Sequence, residues 1–127
     1  MPPVVVLVEG ASDAAVVRVL CGARGVDPES VDLRDMGGVT NVGHHLRELD
    51  GRAHVLGLYD APEERFVVRG LRSTGRDVTD QLHRFAGTAS GRKLLLARRL
   101  AEELSPATTP APLTSLVDQI ADAASRS

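Results

Sequence analysis

The chain has 127 residues, of which 43% are hydrophobic and 25% are charged, and its formal net charge is −2. This length suits one ordinary domain, and this composition excludes disordered and collagen-like chains. The longest unbroken apolar run, Val4 to Val8, is too short to cross a bilayer, and no charged-then-apolar leader precedes it. Because Cys21 is the single cysteine, an internal disulfide is excluded. We therefore expect a cytoplasmic protein without a membrane partner.

Charge is distributed unevenly along the chain. Residues 1–60 carry nine acidic and five basic residues, whereas residues 65–99 carry two acidic and nine basic residues. An acidic first half suits a cation site, and a basic middle suits a polyanionic partner. An unevenly charged solvated surface explains the same pattern equally well.

The first sixty residues have the pattern of a parallel α/β fold. The β-branched run from Val4 to Val8 is typical of a strand that is buried on both faces. A helix is predicted from Ala14 to Arg24, with Ser12 as its N-cap and Gly25 as its end. The next predicted elements are a strand over Val31–Met36, a helix from Thr40 or Asn41 to about Leu49, and a strand over His54–Tyr59. The short connections imply a small parallel sheet of about three strands with flanking helices.

The C-terminal half is predicted to be helical. No fourth strand is evident after Asp60, and helices are predicted over Glu63–Thr74, Val78–Phe85, Ser90–Leu104 and Leu113–Ala124. Residues 105–112 contain three prolines and are predicted to form a linker. The predicted organisation is a domain over residues 1–104, this linker, and a C-terminal helix over residues 113–127.

Acidic residues and glycines are predicted to gather at one edge of the sheet. Open parallel sheets bind ligands at the carboxyl ends of their strands. The residues expected there are Glu9, Asp13, Gly37, Gly38, Asp60, Glu63 and Glu64. Mg²⁺ binds one or two carboxylates together with waters and substrate phosphates, so a magnesium site is predicted, with Mn²⁺ as a substitute. Taken singly, each residue is better explained by an ordinary loop or by the start of a helix than by a functional role.

The first of these motifs resembles a known family. The stretch from Leu7 to Asp13 reads Leu-Val-Glu-Gly-Ala-Ser-Asp, which is similar to the TOPRIM signature of a strand that ends in Glu-Gly-x-x-Asp. Leu56 to Asp60 stands where that fold has the end of its Asp-x-Asp strand. The segments Met36–Asn41 and Gln81–Lys93 resemble the bacterial TOPRIM nucleotidyl transferase/hydrolase group, which is close to the OLD-family nucleases. The resemblance covers most of residues 4–104.

The resemblance implies a metal-dependent phosphodiesterase, with DNA favoured over RNA as the substrate. It implies that Glu9 is the general acid/base or a metal ligand, and that Asp13 and Asp60 hold Mg²⁺. Lys93 is the only lysine beside fourteen arginines, and OLD-like nucleases are similar in having a lysine on a late helix. An ammonium group there would stabilise charge on a transferring phosphoryl group. An ordinary residue at the start of a helix is the alternative for Lys93.

The chain also departs from the TOPRIM pattern. Pro62 stands where the second Asp of Asp-x-Asp is expected, so Glu63 or Glu64 would have to replace that ligand. The resemblance also implies that longer members of the family carry extra sequence around the position of Gly75 to Asp80. The alternative function is therefore a non-catalytic module that binds nucleotides or nucleic acid with an incomplete metal site. Because the chain has no GxxxxGK[ST] motif, any ATP dependence requires a separate ATPase partner.

A basic stripe is predicted along the helix that follows the third strand. Its members are Arg65, Arg69, Arg72 and Arg76, which are spaced four, three and four residues apart. Val67 and Leu71 are expected to face the core instead. Such a stripe can neutralise a nucleic-acid backbone without reading bases, although a solvated helix face has the same spacing. With only three aromatic residues in the chain, recognition of single strands by base stacking is not expected.

Overall fold

The computed structural model of the protein describes residues 4–49, 54–88 and 111–125. These residues form an α/β fold around one parallel sheet, as the sequence predicts. Its strands lie in the order β2-β1-β3-β4, and every neighbouring pair is parallel. The strands are β1 (Val4–Val8), β2 (Val31–Asp35), β3 (His54–Asp60) and β4 (Phe85–Thr88).

The fourth strand corrects the prediction of a three-stranded sheet with a wholly helical C-terminal half. The predicted helix over Val78–Phe85 ends at Leu82, and the chain then pairs with β3 from Gly57 to Asp60. The stretch Phe85–Thr88 is four residues long and contains Ala and Gly, so it has no hydrophobic alternation to mark it as a strand. Pairing with β3 stabilises this stretch as a strand, because Gly57 leaves room for the Phe85 ring that lies opposite it.

Five α-helices are present in the described ranges. They are α1 (Ala11–Arg24), α2 (Val42–Glu48), α3 (Glu64–Arg72), α4 (Val78–Leu82) and α5 (Ala111–Ser125). Short 3₁₀ turns at Pro28–Ser30, Val39–Asn41 and Ala61–Glu63 precede β2, α2 and α3. None of the helices in these ranges has the length and apolar character of a membrane span.

The two faces of the sheet are covered by different helices. Val4, Val6 and Val8 pack with α1 and α5, whereas Val5 and Leu7 pack with α2 and α3. All five residues of β1 are fully buried, which confirms the expectation of a strand that is covered on both faces. The last helix, α5, buries Leu113, Leu116 and Ile120 in the same core cluster as β1.

The predicted C-terminal end of α1 is confirmed, whereas its predicted N-cap is wrong. The helix begins at Ala11 with Gly10 as its N-cap, so the prediction of Ser12 as the N-cap is wrong. The strand runs into the helix with only Glu9 and Gly10 between them. Gly25 ends the helix in the left-handed conformation at φ 83°, as predicted, because glycine has no Cβ to oppose a positive φ.

Helices α2 and α3 approach each other closely through two glycines. A Cβ placed on Gly70 would overlap Val42 and would lie 3.0 Å from the backbone nitrogen of Gly43. A Cβ placed on Gly43 would lie 2.6 Å from Ser73 Oγ. The contact therefore requires glycine at both positions, and it brings the end of α2 beside the loop that follows α3.

Candidate functional site

The carboxyl ends of the two central strands carry the predicted acidic residues. Strands β1 and β3 are paired with Val8 opposite Leu58, so the residues that follow each strand are neighbours. The backbone N–H of Asp60 donates a hydrogen bond to Glu9 Oε2 at 3.3 Å. The fold thus brings the Glu9 carboxylate to the end of β3, although 51 residues separate the two positions.

The Gly37–Gly38 turn lies beside Glu9, but its amides are used within the chain. Gly37 N–H donates to Asp35 Oδ1 at 2.8 Å, and Gly38 N–H donates to the Glu9 carbonyl at 3.1 Å. Positive φ angles of 67° and 122° explain the two consecutive glycines. The turn therefore fixes the backbone of Glu9, and both amides already donate to acceptors within the chain.

Asp13 lies in the first turn of α1, next to this edge. Its side chain is buried, with the residue only 4% exposed, whereas its neighbours Ala11 and Ser12 are exposed. A carboxylate in the first turn interacts favourably with the positive end of the helix dipole. This interaction favours an aspartate at this position.

Thr88 joins the edge from β4, the strand that the sequence did not predict. It is in register with Asp60 and is 4% exposed, and its buried hydroxyl makes no hydrogen bond with any described residue. A buried hydroxyl without a partner is rare because its desolvation is not compensated. Thr88 and Asp13 are the two buried polar residues of the described ranges, and both lie at this end of the sheet.

Glu63 and Glu64, the predicted substitutes for the ligand lost at Pro62, have different surroundings. Glu63 is half-buried at the end of the 3₁₀ turn, and Glu64 is the exposed first residue of α3. Tyr59 Oη donates to Glu64 Oε1 at 2.8 Å. Burial, together with this hydrogen bond and the nearby carboxylate charge, raises the pKa of Tyr59 to about 12. Tyr59 packs on the face of the sheet that α3 covers, and its hydrogen bond keeps Glu64 on that face. Side chains alternate along a strand, so the next residue, Asp60, belongs to the opposite face.

The candidate metal ligands at this edge are oxygen atoms, the ligand type that Mg²⁺ prefers. They are the carboxylate oxygens of Glu9, Asp13 and Asp60 and the hydroxyl of Thr88. Within residues 4–49, 54–88 and 111–125, however, no three His, Cys, Asp or Glu side chains converge closely enough to hold a metal ion. A metal ion at this edge would therefore depend on waters and substrate oxygens for most of its ligands.

The predicted basic stripe is divided by the end of α3. Arg65, Arg69 and Arg72 are exposed on the helix, and Val67 and Leu71 are fully buried beneath it, as expected. We call these three arginines the α3 stripe. Two of them lie against the same ring, since the guanidinium groups of Arg65 and Arg69 are 4.7 and 5.8 Å from the centroid of Phe66. This cation–π contact orients both side chains on one surface.

Arg76 does not continue the α3 stripe, which corrects the prediction of four arginines on one helix. The helix ends at Arg72, and Gly75 then turns the chain at φ 74°. Arg76 lies instead in a cleft with Arg47 of α2. Lys93 and the predicted helix over residues 90–104 lie outside the described residues, as does most of the predicted linker.

Comparison of the chain with protein-family models, with curated proteins and with solved structures finds no match.

Sequence reasoning missed two residues that the fold places at or near polar sites. Thr88 was missed because its strand carries no alternating pattern, and Arg47 was missed because it lies alone on a short helix. The sequence Phe85-Ala-Gly-Thr did contain a signal for Thr88. Its order of one large, two small and one β-branched residue can complement the residues from Gly57 to Asp60 in β3. No local signal distinguishes Arg47 from other exposed arginines.

Proposed function

We propose that this chain is a magnesium-dependent phosphoryl-transfer module of TOPRIM type, acting as an endonuclease or nucleotidyl hydrolase on DNA. The observation that supports the proposal most directly is the hydrogen bond from Asp60 N–H to Glu9 Oε2 at the carboxyl ends of the two central strands. It holds two acidic residues together where open parallel sheets bind their ligands. The signature Glu9-Gly-x-x-Asp13 supplies the third acid.

Each residue has a role in this proposal that follows from its position. Bound Mg²⁺ polarises a phosphoryl oxygen and lowers the pKa of a coordinated water. Asp60 and Asp13 would hold the ion, and Glu9 would accept or return a proton at the reacting oxygen. The α3 stripe would bind flanking phosphates of the backbone without reading bases. Lys93 would stabilise charge that develops on the phosphoryl group.

The alternative is a non-catalytic module that binds nucleotides or nucleic acid. Two observations favour it: the described residues contain no cluster of three metal-ligating side chains, and Pro62 occupies an exposed 3₁₀ turn where a further acid was expected. The two functions differ in one measurable respect, because only the enzyme cleaves a phosphodiester. Both predict that the α3 stripe binds polyanions.

The test of metal binding is a titration with Mg²⁺ and then Mn²⁺, followed through backbone amide NMR shifts. We expect shifts at Glu9, Asp60 and Thr88 at millimolar metal, and their loss in Glu9→Gln. A glutamine oxygen can still accept from Asp60 N–H, so this variant keeps the local fold. It should also be more stable than the wild type in metal-free buffer, because one of several neighbouring negative charges is removed. Glu29→Gln, an exposed carboxylate in the turn before β2, is the matched control.

The test of activity is cleavage of supercoiled and single-stranded DNA. We expect slow cleavage that is faster with Mn²⁺ than with Mg²⁺, because Mn²⁺ binds a given site more tightly and loses water more readily. Glu9→Gln and Lys93→Ala should abolish or reduce it. Metal-dependent shifts without cleavage would favour the binding module. No shifts around Glu9 and no cleavage would overturn the proposed function, and activity that both variants retain would identify a contaminant.

A further inference from the structure

Strand β2 is an edge strand of the parallel sheet. It pairs with β1 along its whole length, and none of the described residues pairs with its other side. The residues from Val31 to Arg34 are half-buried and Asp35 is exposed, whereas every residue of β1 is buried. A strand edge of this kind presents backbone N–H and C=O groups to which a further strand can pair.

The backbone groups on this outer edge belong to alternate residues. Met36 N–H donates to the Val8 carbonyl at 2.8 Å, so Met36 bonds towards β1. Because backbone groups alternate in direction along a paired strand, the even-numbered residues of β2 bond to β1 as well. The outward groups are therefore those of Val31, Leu33 and Asp35.

The sequence of β2, Val-Asp-Leu-Arg-Asp, is complementary to itself when two copies run antiparallel. With Leu33 opposite Leu33 of a second copy, Asp32 of each copy lies opposite Arg34 of the other, as two-fold symmetry requires. The outward groups of Leu33 make the central pair a hydrogen-bonded one. Asp32 and Arg34 then fall in the non-hydrogen-bonded pairs, in which opposing side chains are closest. Opposite charges in such pairs stabilise a sheet.

The neighbouring symmetric registers bring like charges together. A register centred on Asp32 places two aspartates opposite each other, and one centred on Arg34 places two arginines opposite each other. Like charges directly opposite destabilise a sheet, so the register centred on Leu33 is favoured over both. Within one chain Arg34 Nε already donates to Asp32 Oδ2 at 2.9 Å, which places both side chains on the same face of β2.

An apolar cleft lies beside this edge on the other face of β2. It has a volume of about 360 Å³, and its lining includes Cys21 and Val26 together with Val31 and Leu33. Val31 and Leu33 pack against the core but stay half-buried. Residues that are directly opposite in an antiparallel pair point to the same face, so Leu33 of the second copy lies against this cleft. The pairing thus covers apolar surface as well as backbone groups.

We propose that β2 pairs with β2 of a second copy of this chain, antiparallel and centred on Leu33, so that the two sheets join into one. The two Leu33 residues exchange backbone hydrogen bonds, and Asp35 N–H of each copy donates to the Val31 carbonyl of the other. Val31 N–H is not required, since it already donates to the Pro28 carbonyl. A five-residue strand forms a small interface, so the expected Kd is between about 10 µM and 1 mM.

The test is sedimentation equilibrium of the full chain from micromolar to millimolar concentration at physiological ionic strength. Asp32→Arg and Arg34→Asp each replace two attractive pairs with two repulsive pairs, so each should raise the dimer Kd at least about tenfold. Arg84→Asp is the matched control for charge reversal. Arg84 is exposed and directly precedes β4, at the other edge of the sheet, so this variant should dimerise like the wild type.

Two further measurements separate charge pairing from loss of the fold. An equimolar mixture of Asp32→Arg and Arg34→Asp should form a mixed dimer, because arginines in one copy then oppose aspartates in the other. The double variant Asp32→Arg/Arg34→Asp should dimerise like the wild type. In the wild type, protection of the Leu33 and Asp35 amides from hydrogen exchange should rise with concentration.

Three outcomes would overturn the proposal. A wild type that stays monomeric at millimolar concentration would leave this edge to a strand of a different protein. Dimerisation that both single variants retain would place the contact elsewhere on the surface. Failure of both the mixture and the double variant to associate would show that the charges do not set the register. Glu9→Gln should dimerise like the wild type, so failure of the proposed function leaves this result intact.

Discussion

Gly57→Ala tests the packing that seats β4 and, with it, Thr88 at the acidic edge. The change adds one methyl group to the middle of β3, directly opposite Phe85. A Cβ at this position would overlap two carbons of the Phe85 ring and lie 2.9 Å from a third, Cζ. An ordinary contact between carbon atoms is about 3.5–4.0 Å, so the ring must move.

The expected loss of stability depends on whether the Phe85 ring has space to move. Phe85 is 8% exposed and packs with Tyr59 and Val67 in one core cluster, so it has no empty space to enter. Overpacking of a filled core costs about 1–3 kcal/mol. Since β4 pairs only with β3 within the described chain and is four residues long, we expect the displaced ring to weaken this strand first.

The assay combines urea denaturation with amide hydrogen exchange. Gly57→Ala should lower the free energy of unfolding by about 1–3 kcal/mol and reduce protection across Phe85–Thr88 more than across β1. Gly22→Ala is the matched control, because Gly22 is exposed within α1 and a Cβ there has no neighbour within 4 Å. The same methyl group should there stabilise the protein by about 0.5–1 kcal/mol. Equal stability of the wild type and Gly57→Ala would refute the packing argument.

Three other substitutions give further predictions. Thr88→Val should stabilise the protein by about 1 kcal/mol in urea denaturation, because it removes a buried hydroxyl that has no hydrogen-bond partner among the described residues; a loss of stability would show that the hydroxyl is satisfied. Tyr59→Phe should cost about 1 kcal/mol near pH 8. The pKa of Tyr59 is raised in the folded protein to about 12 from the ordinary 10.0, so its contribution to the free energy of unfolding is complete below pH 10 and falls as the pH rises towards 12. This fall should be absent from the pH profile of the variant. Duplex DNA binding through the α3 stripe should have a log–log salt slope of about −2.7, for three phosphate contacts; unchanged binding when all three arginines are replaced by glutamine would show that the stripe is only solvated.

The sequence alone determined the parallel α/β class and the placement of the first three strands. The run from Val4 to Val8 is apolar at every position, and all of its side chains are buried only where helices cover both faces of the strand. The short connections between the first elements then required parallel pairing, and parallel pairing placed Glu9 and Asp60 at one edge. These conclusions follow from patterns that are local or that depend only on chain direction.

Only the tertiary structure decided the fourth strand, the division of the basic stripe and the surroundings of the candidate ligands. Phe85–Thr88 becomes a strand because β3 offers a glycine for its ring, which is a property of a partner 28 residues earlier. Arg76 leaves the stripe because the helix ends at Arg72, and it joins Arg47 because two glycines let α2 and α3 meet. Residue spacing predicts which side chains share one element. It does not predict which elements approach each other, because that depends on the shapes of the surfaces that pack.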